Sequence, residues 1–260
     1  MTKKWKRTAA IMLISACLAG GTAWADSQTS PEAEAVKEAF IGSQDIMYKK
    51  GLFQSDTGKT DTLTEEEVQS YIDEYNAQID RYYAEGNICR QTYKETNEHL
   101  FREVCANEVY YKVDAGVLDC TFQNVSISED GQEATVKAVY TSWGNWVEEN
   151  EDGQLRVTAP IGEDTITATM VKEDGLWKLG KIDEMHAEFA ADAIYELEEQ
   201  NGGISAMAVD ADTQEKVDAI EEYQEKTYFT QYESFDEALA VAKSIDPTEV
   251  NPFVLKWRNR

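Results

Sequence analysis

Few residues in this chain have the types and spacing that chemistry needs. Proton-transfer catalysis by a single side chain needs one carboxyl group whose pKa is raised by burial. Asp183 is the best candidate, because it shares the phase of Trp177 and Leu179 at the end of an alternating run. Asp119 points the same way only if the strand carrying it has no bulge. Asp183 and His186 lie three apart, a spacing that suits an acid–base pair or a weak metal site at a helix start, and equally suits an aspartate acting as a plain N-cap. His99, the other of the two histidines, flanks an apolar helical stripe and reads as structural. The chain contains neither G-x-S-x-G nor H-E-x-x-H, which disfavours serine and zinc hydrolysis. The best match to a calcium loop runs from Asp210 through Asp212 to Glu221, with Glu215 where the sharp turn needs glycine. No catalytic residue, metal site or cofactor is therefore assigned from motifs.

The cysteines and the N-terminus speak to compartment. Lys3, Lys4, Lys6 and Arg7 precede an apolar run from Ala9 to Ala19, and Ala23-Trp24-Ala25 forms an A-x-A site before Asp26. This is the pattern of a signal peptide over residues 1–25, and it predicts an extracytoplasmic protein, secreted or periplasmic. Ile14-Ser15-Ala16-Cys17 offers the alternative of a lipid anchor through Cys17. No other stretch is apolar enough to span a membrane. Beyond the signal lie Cys89, Cys105 and Cys120. Cys89 and Cys105 fall on one predicted helix, about 24 Å apart at about 1.5 Å per residue, so Cys105 with Cys120 is the better disulfide pair. Three small buried thiols are the other reading.

The net charge is −26, and loss of the basic leader makes it more negative still. Nucleic acid and anionic membrane surfaces are poor partners for such a chain.

These residues must be positioned by an α+β arrangement. Ser30 and Pro31 open a helix with Val36, Phe40 and Met47 on one side, stopping at Gly51. Residues 54–62 read as a loop. Thr64 and Glu67 form a capping box for a second helix with a stripe of Val68, Ile72, Tyr75, Ile79 and Tyr82. Asn87 caps a third. Between Val117 and Asp183 the turns Glu129-Asp130-Gly131, Glu151-Asp152-Gly153 and Glu173-Asp174-Gly175 punctuate a four-strand antiparallel meander.

Alternation fixes the expected registers. Val125 faces Val136 and Ile127 faces Ala134, with a bulge near Gln123-Asn124 that brings Leu118, Cys120 and Phe122 into phase. A three-residue second loop sets Val136 against Met170, Ala138 against Ala168 and Tyr140 against Ile166, and puts Gly144 opposite Gly162, where the sheet should bend. At the third turn Met170 meets Leu179 and Lys172 meets Trp177. After Asp183 the pattern turns helical, with Phe189, Ala193 and Leu197, then capping boxes at Asp212/Glu215 and Ser234/Glu237. Residues 184–260 are thus expected to be a helical extension, folded back on the main domain or offered to a partner.

Helices followed by a bent meander that closes with Asp174-Gly175-Leu176-Trp177-Lys178-Leu179 resemble the cone-shaped fold of nuclear transport factor 2 and its relatives, the ketosteroid isomerases and polyketide cyclases among them. The resemblance covers residues 31–183. It implies a curved sheet wrapped round a helix, with a cavity at the open end that some members use for catalysis and many for binding. Tyr140, Trp143 and Trp146, at the bend, would line such a cavity together with Asp183, although aromatic residues on an inner sheet face are also ordinary core. The function expected is a non-enzymatic binding or accessory role in the bacterial envelope, toward a small ligand, a cell-wall component or a protein. The alternative that the resemblance implies is a small enzyme of isomerase, dehydratase or cyclase type using a buried carboxylate in the cone.

Overall fold

The computed structural model describes residues 30–53, 63–104, 109–150, 152–189, 218 and 222–248. Three helices come first: α1 (Pro31–Tyr48), α2 (Glu65–Tyr82) and α3 (Cys89–His99), the last running into a π-helical turn, Leu100–Val104. Ser30 Oγ accepts from the Ala33 amide at 3.1 Å with Pro31 at the first helical position, so α1 starts as its sequence dictates. The Thr64/Glu67 capping box is complete in both directions. Asn87 caps from one residue outside α3: its Oδ1 accepts from the Cys89 amide at 2.8 Å, while its Nδ2 donates to the carbonyls of Leu179 and Gly180. One side chain thereby starts a helix and fastens it to the sheet.

Five antiparallel strands follow: β1 (Tyr110–Ile127), β2 (Glu133–Glu149), β3 (Leu155–Thr158), β4 (Ile161–Glu173) and β5 (Leu176–Phe189). The four main strands lie in the order β1-β2-β4-β5, and β3 continues the line of β4 along β2. The outer hairpins have the expected registers, Val125 on Val136 and Met170 on Leu179, and the predicted bulge falls between Phe122 and Asn124. Asp174 and Gly175 both have positive φ, 52° and 80°, which is the type I′ turn that matches strand twist.

The middle register differs from expectation by two residues. Val136 faces Ala168 and Ala138 faces Ile166, so Ser142 rather than Gly144 lies opposite Gly162. Asn150 sets this offset: its amide donates to the Gln154 carbonyl at 2.9 Å, and its side-chain oxygen accepts from the amides of Asp152 and Gln154. A shift of two keeps every side chain on its face. Gly144 still stands beside the break, donating to the Pro160 carbonyl at 3.1 Å.

The strand β5 corrects the helix expected after Asp183. Pairing of Thr165 with His186 and of Gly162 with Phe189 carries it on as strand, because an available ladder on β4 outweighs a local helical pattern. Ala193, Leu197 and the Asp212/Glu215 box lie outside the described residues.

The main core packs Val36, Phe40 and Ile46 of α1 and Tyr75 and Ile79 of α2 against the inner sheet face, from Val125 through Val136, Tyr140 and Met170 to Leu179. Glu32 clamps the start of α1 onto the last hairpin, accepting from Lys172 Nζ at 2.6 Å and Trp177 Nε1 at 2.7 Å. These two donors hold its carboxyl below the usual range. Near the bend β2 also buries its opposite face. Val147 and Val157 meet the C-terminal helix α4 (Phe235–Ser244) through Ala238, Leu239 and Ala242, and Asn145 Nδ2 donates to the Ala242 carbonyl at 2.7 Å. Ser234 caps α4 as its sequence predicts, accepting from the Glu237 amide.

Candidate functional site

The inside of the curved sheet holds a buried polar group that motif reading missed. Asp164 on β4 is 4 % exposed, and Tyr48 Oη of α1 donates to its Oδ2 at 2.8 Å. Burial pushes the Asp164 carboxyl up, against the opposing pull of hydrogen bonds from Tyr48, Tyr140 and Ser142. Burial likewise pushes the Tyr48 hydroxyl up to about 12. Tyr140 donates to Gln44 Oε1 at 3.2 Å, and Gln44 Nε2 donates to Ser43 Oγ at 3.0 Å. A phase signal was present: Asp164 alternates with Ile166, Ala168 and Met170 and so had to point inward. This acid is walled in, since Tyr140 opposite it is 1 % and nearby Ser142 5 % exposed.

The sign of the Asp164 shift yields a prediction. A carboxyl whose folded pKa is raised gives stability that is fully present below its unfolded value, about 3.9, and is lost as pH rises through the folded value. Asp164→Asn keeps an acceptor for Tyr48 and cannot ionise. The stability of the parent relative to the variant should fall as pH rises and then level off, as urea midpoints between about pH 3 and 8 would report. A difference that does not change with pH would show that Asp164 is not desolvated.

The residues expected to line a pocket do not converge. Tyr140 is core. Trp143, on the opposite face of β2, packs with Ala159, Ile161 and Tyr223. Trp146 is half-buried at the rim, its Nε1 donating to Glu148 Oε2 at 2.8 Å and its ring 6.3 Å from that of Tyr110. Asp183 is on the outside: Thr169 Oγ1 donates to it at 2.7 Å and Lys181 pairs with it at 2.6 Å, and these contacts hold its carboxyl below the usual range. Two bulges explain the reversal. The ladder skips Gly180 and then Asp183 itself, so simple alternation from Leu179 fails. Asp119 is exposed too, as the observed β1 bulges require.

His186 is an exposed strand residue instead of part of a helix start, and His99 Nδ1 sits 3.1 Å from Glu103. Cys120 is a free thiol, half-buried toward α1 and pushed up to about 12 by burial and the Asp119 charge, rather than half of a disulfide. Cys105 lies outside the described residues, as does Cys17. No helix among the described residues is long and apolar enough to cross a membrane.

An open site lies on the other side of α1. A cleft of about 680 Å³ runs between α1, α2 and the start of β1, lined by residues that include Asp45, Lys49, Tyr71, Glu74, Tyr75, Gln78 and Asp114. Close helix approach shapes one end, where a Cβ on Gly42 would come within 2.3 Å of the Tyr82 ring. Asp45 anchors the wall by accepting from Lys49 Nζ at 2.5 Å and from the Val117 amide at 3.2 Å. The bond to Val117 needs Gly116, whose φ is +150° and whose Cβ would collide with Asp45 Oδ1. Tyr71 is fixed by stacking on Phe101, with rings 5.9 Å apart and 4° from parallel. The cleft walls are thus largely pre-formed, with aromatic surface and three carboxylates.

No family model matches the chain, and no curated protein matches it in sequence. Among solved structures, the intermembrane space region of the chloroplast protein ARC6 is similar with a TM-score of 0.32 at 11 % identity, over 60 % of this chain and 95 % of that one. A putative calcium/calmodulin dependent protein kinase II association domain from Xanthomonas campestris gives 0.21 at 17 %, over 50 % and 89 %. Likenesses of this size carry no argument about fold or function.

Proposed function

We propose that the protein is a binding or accessory module of the bacterial envelope, built on a nuclear transport factor 2-like cone and acting outside the cytoplasm, and that it takes a small ligand in the cleft between α1, α2 and β1. The observation that carries this reading is the contrast between the two faces of α1. On one side the cone is packed by Phe40, Tyr140 and Met170, each 1 % exposed or less; on the other a cleft of about 680 Å³ stands open, within the usual range for small-molecule sites. The leader-like residues 1–25 support the compartment.

A ligand library screened by NMR against the full chain tests the proposal. Binders should shift Tyr71 and Gln78 resonances and be lost in Gln78→Trp, which fills the cleft. A library with no binder sensitive to that change would refute it. A second reading, proton-transfer catalysis in the cone, is favoured by the buried Asp164 acid. It requires ligand-induced shifts at Tyr48 and Asp164 instead.

A further inference from the structure

Resting on the cleft as the binding site, we infer that its ligand is a small organic cation carrying an apolar body. Glu74 and Asp114 are exposed where they border the cleft, and Asp45 adds a third carboxylate. Lys49 is the one cation among the described residues of the lining, and its ammonium is engaged by Asp45 at 2.5 Å. An anionic ligand would therefore meet uncompensated negative charge, in a chain whose net charge is already −26. An ammonium or guanidinium would find charge-assisted acceptors in Glu74 and Asp114.

The walls select the rest of the molecule. Tyr71, held by its stack on Phe101, offers a fixed aromatic surface of the kind that attracts both cations and apolar groups. Tyr75 belongs to the same lining and, at 6 % exposed, adds to this aromatic wall. Leu52, Phe53 and Val113 complete an apolar end that a bare inorganic cation would leave unfilled.

Three probes of one shape test the charge class on the full chain: 2-phenylethylammonium, 2-phenylethanol and phenylacetate, titrated with NMR detection of the tyrosine rings. The ammonium should bind about tenfold or more tightly than the alcohol, the ratio expected when a neutral contact becomes charge-assisted, and phenylacetate weakest of all. Raising the salt should shrink the gap. The double variant Glu74→Gln/Asp114→Asn changes two exposed side chains; it should erase the preference and leave the alcohol's affinity within about twofold. Equal binding of ammonium and alcohol in the cleft would overturn the inference while leaving the cleft as the binding site. Absence of any shift by the ammonium at Tyr71 or Tyr75 would overturn it as well; the cleft itself falls only if the wider library also yields no binder sensitive to Gln78→Trp.

Discussion

Phe40→Ala should destabilise the protein by about 3–5 kcal/mol, the cost of truncating a fully enclosed aromatic residue that its neighbours cannot replace. Phe40 is 0 % exposed and sits inside the curved sheet, with its ring 5.8 Å from that of Phe122 and 6.2 Å from that of Tyr140, both edge-on. Its neighbours arrive from α1, β1 and β2, so no single side chain can swing in to close the hole. The cavity left would be dry and apolar, and a small aromatic such as benzene should bind it and restore part of the loss. Urea denaturation with and without benzene measures both. A cost below about 1 kcal/mol, with no rescue, would mean that the core inside the curved sheet is not packed around Phe40.

Lys112→Met should cost about 2–3 kcal/mol even though the stem is preserved. Lys112 is 8 % exposed, and its ammonium donates to the carbonyls of Tyr48 at 3.0 Å and Lys50 at 2.6 Å. These are acceptors that the end of α1 leaves without helical partners. Methionine has a stem of similar length but supplies no donor and gives up the ammonium's place over the Trp146 ring, so both oxygens are stranded in a half-buried place. Arginine is not expected to restore the loss, since its planar fork cannot converge on the two oxygens as a compact ammonium does. Amide exchange at the last turn of α1 should quicken in the variant. An unchanged denaturation midpoint would show that the bonds to Tyr48 and Lys50 contribute nothing net.

Much of this architecture was legible because its signals are local. Ser30, the Thr64/Glu67 box, Ser234 and the Asp174-Gly175 turn each act within a few residues, and the structure uses them as their chemistry dictates. Alternation also identified the inner face from Val125 to Leu179, since burial depends on phase rather than on register. The middle register was not legible to within two residues because Asn150 closes its loop with a side chain, a choice that Asp152-Gly153 alone does not encode.

The candidate site was legible far less well. Asp183 was misplaced by the bulge at Gly180, which inverts the phase that follows, and is itself the extra residue of a second bulge. Asp164 belongs to no motif, and only its shared phase with Ile166, Ala168 and Met170 marks it as inward-facing. Nothing local marks the cleft: Asp45, Glu74 and Asp114 come from three elements and meet only through helix packing at Gly42 and the turn at Gly116.

The most direct measurement is a crystal structure of the full chain with a ligand recovered from the library screen. Density is expected between Tyr71, Glu74 and Asp114, with Phe40 and Tyr140 unmoved in the filled core of the curved sheet. Density beside Tyr48 and Asp164, with that core opened to admit it, would contradict the proposed site and make the carboxyl of Asp164 the centre of the protein's chemistry.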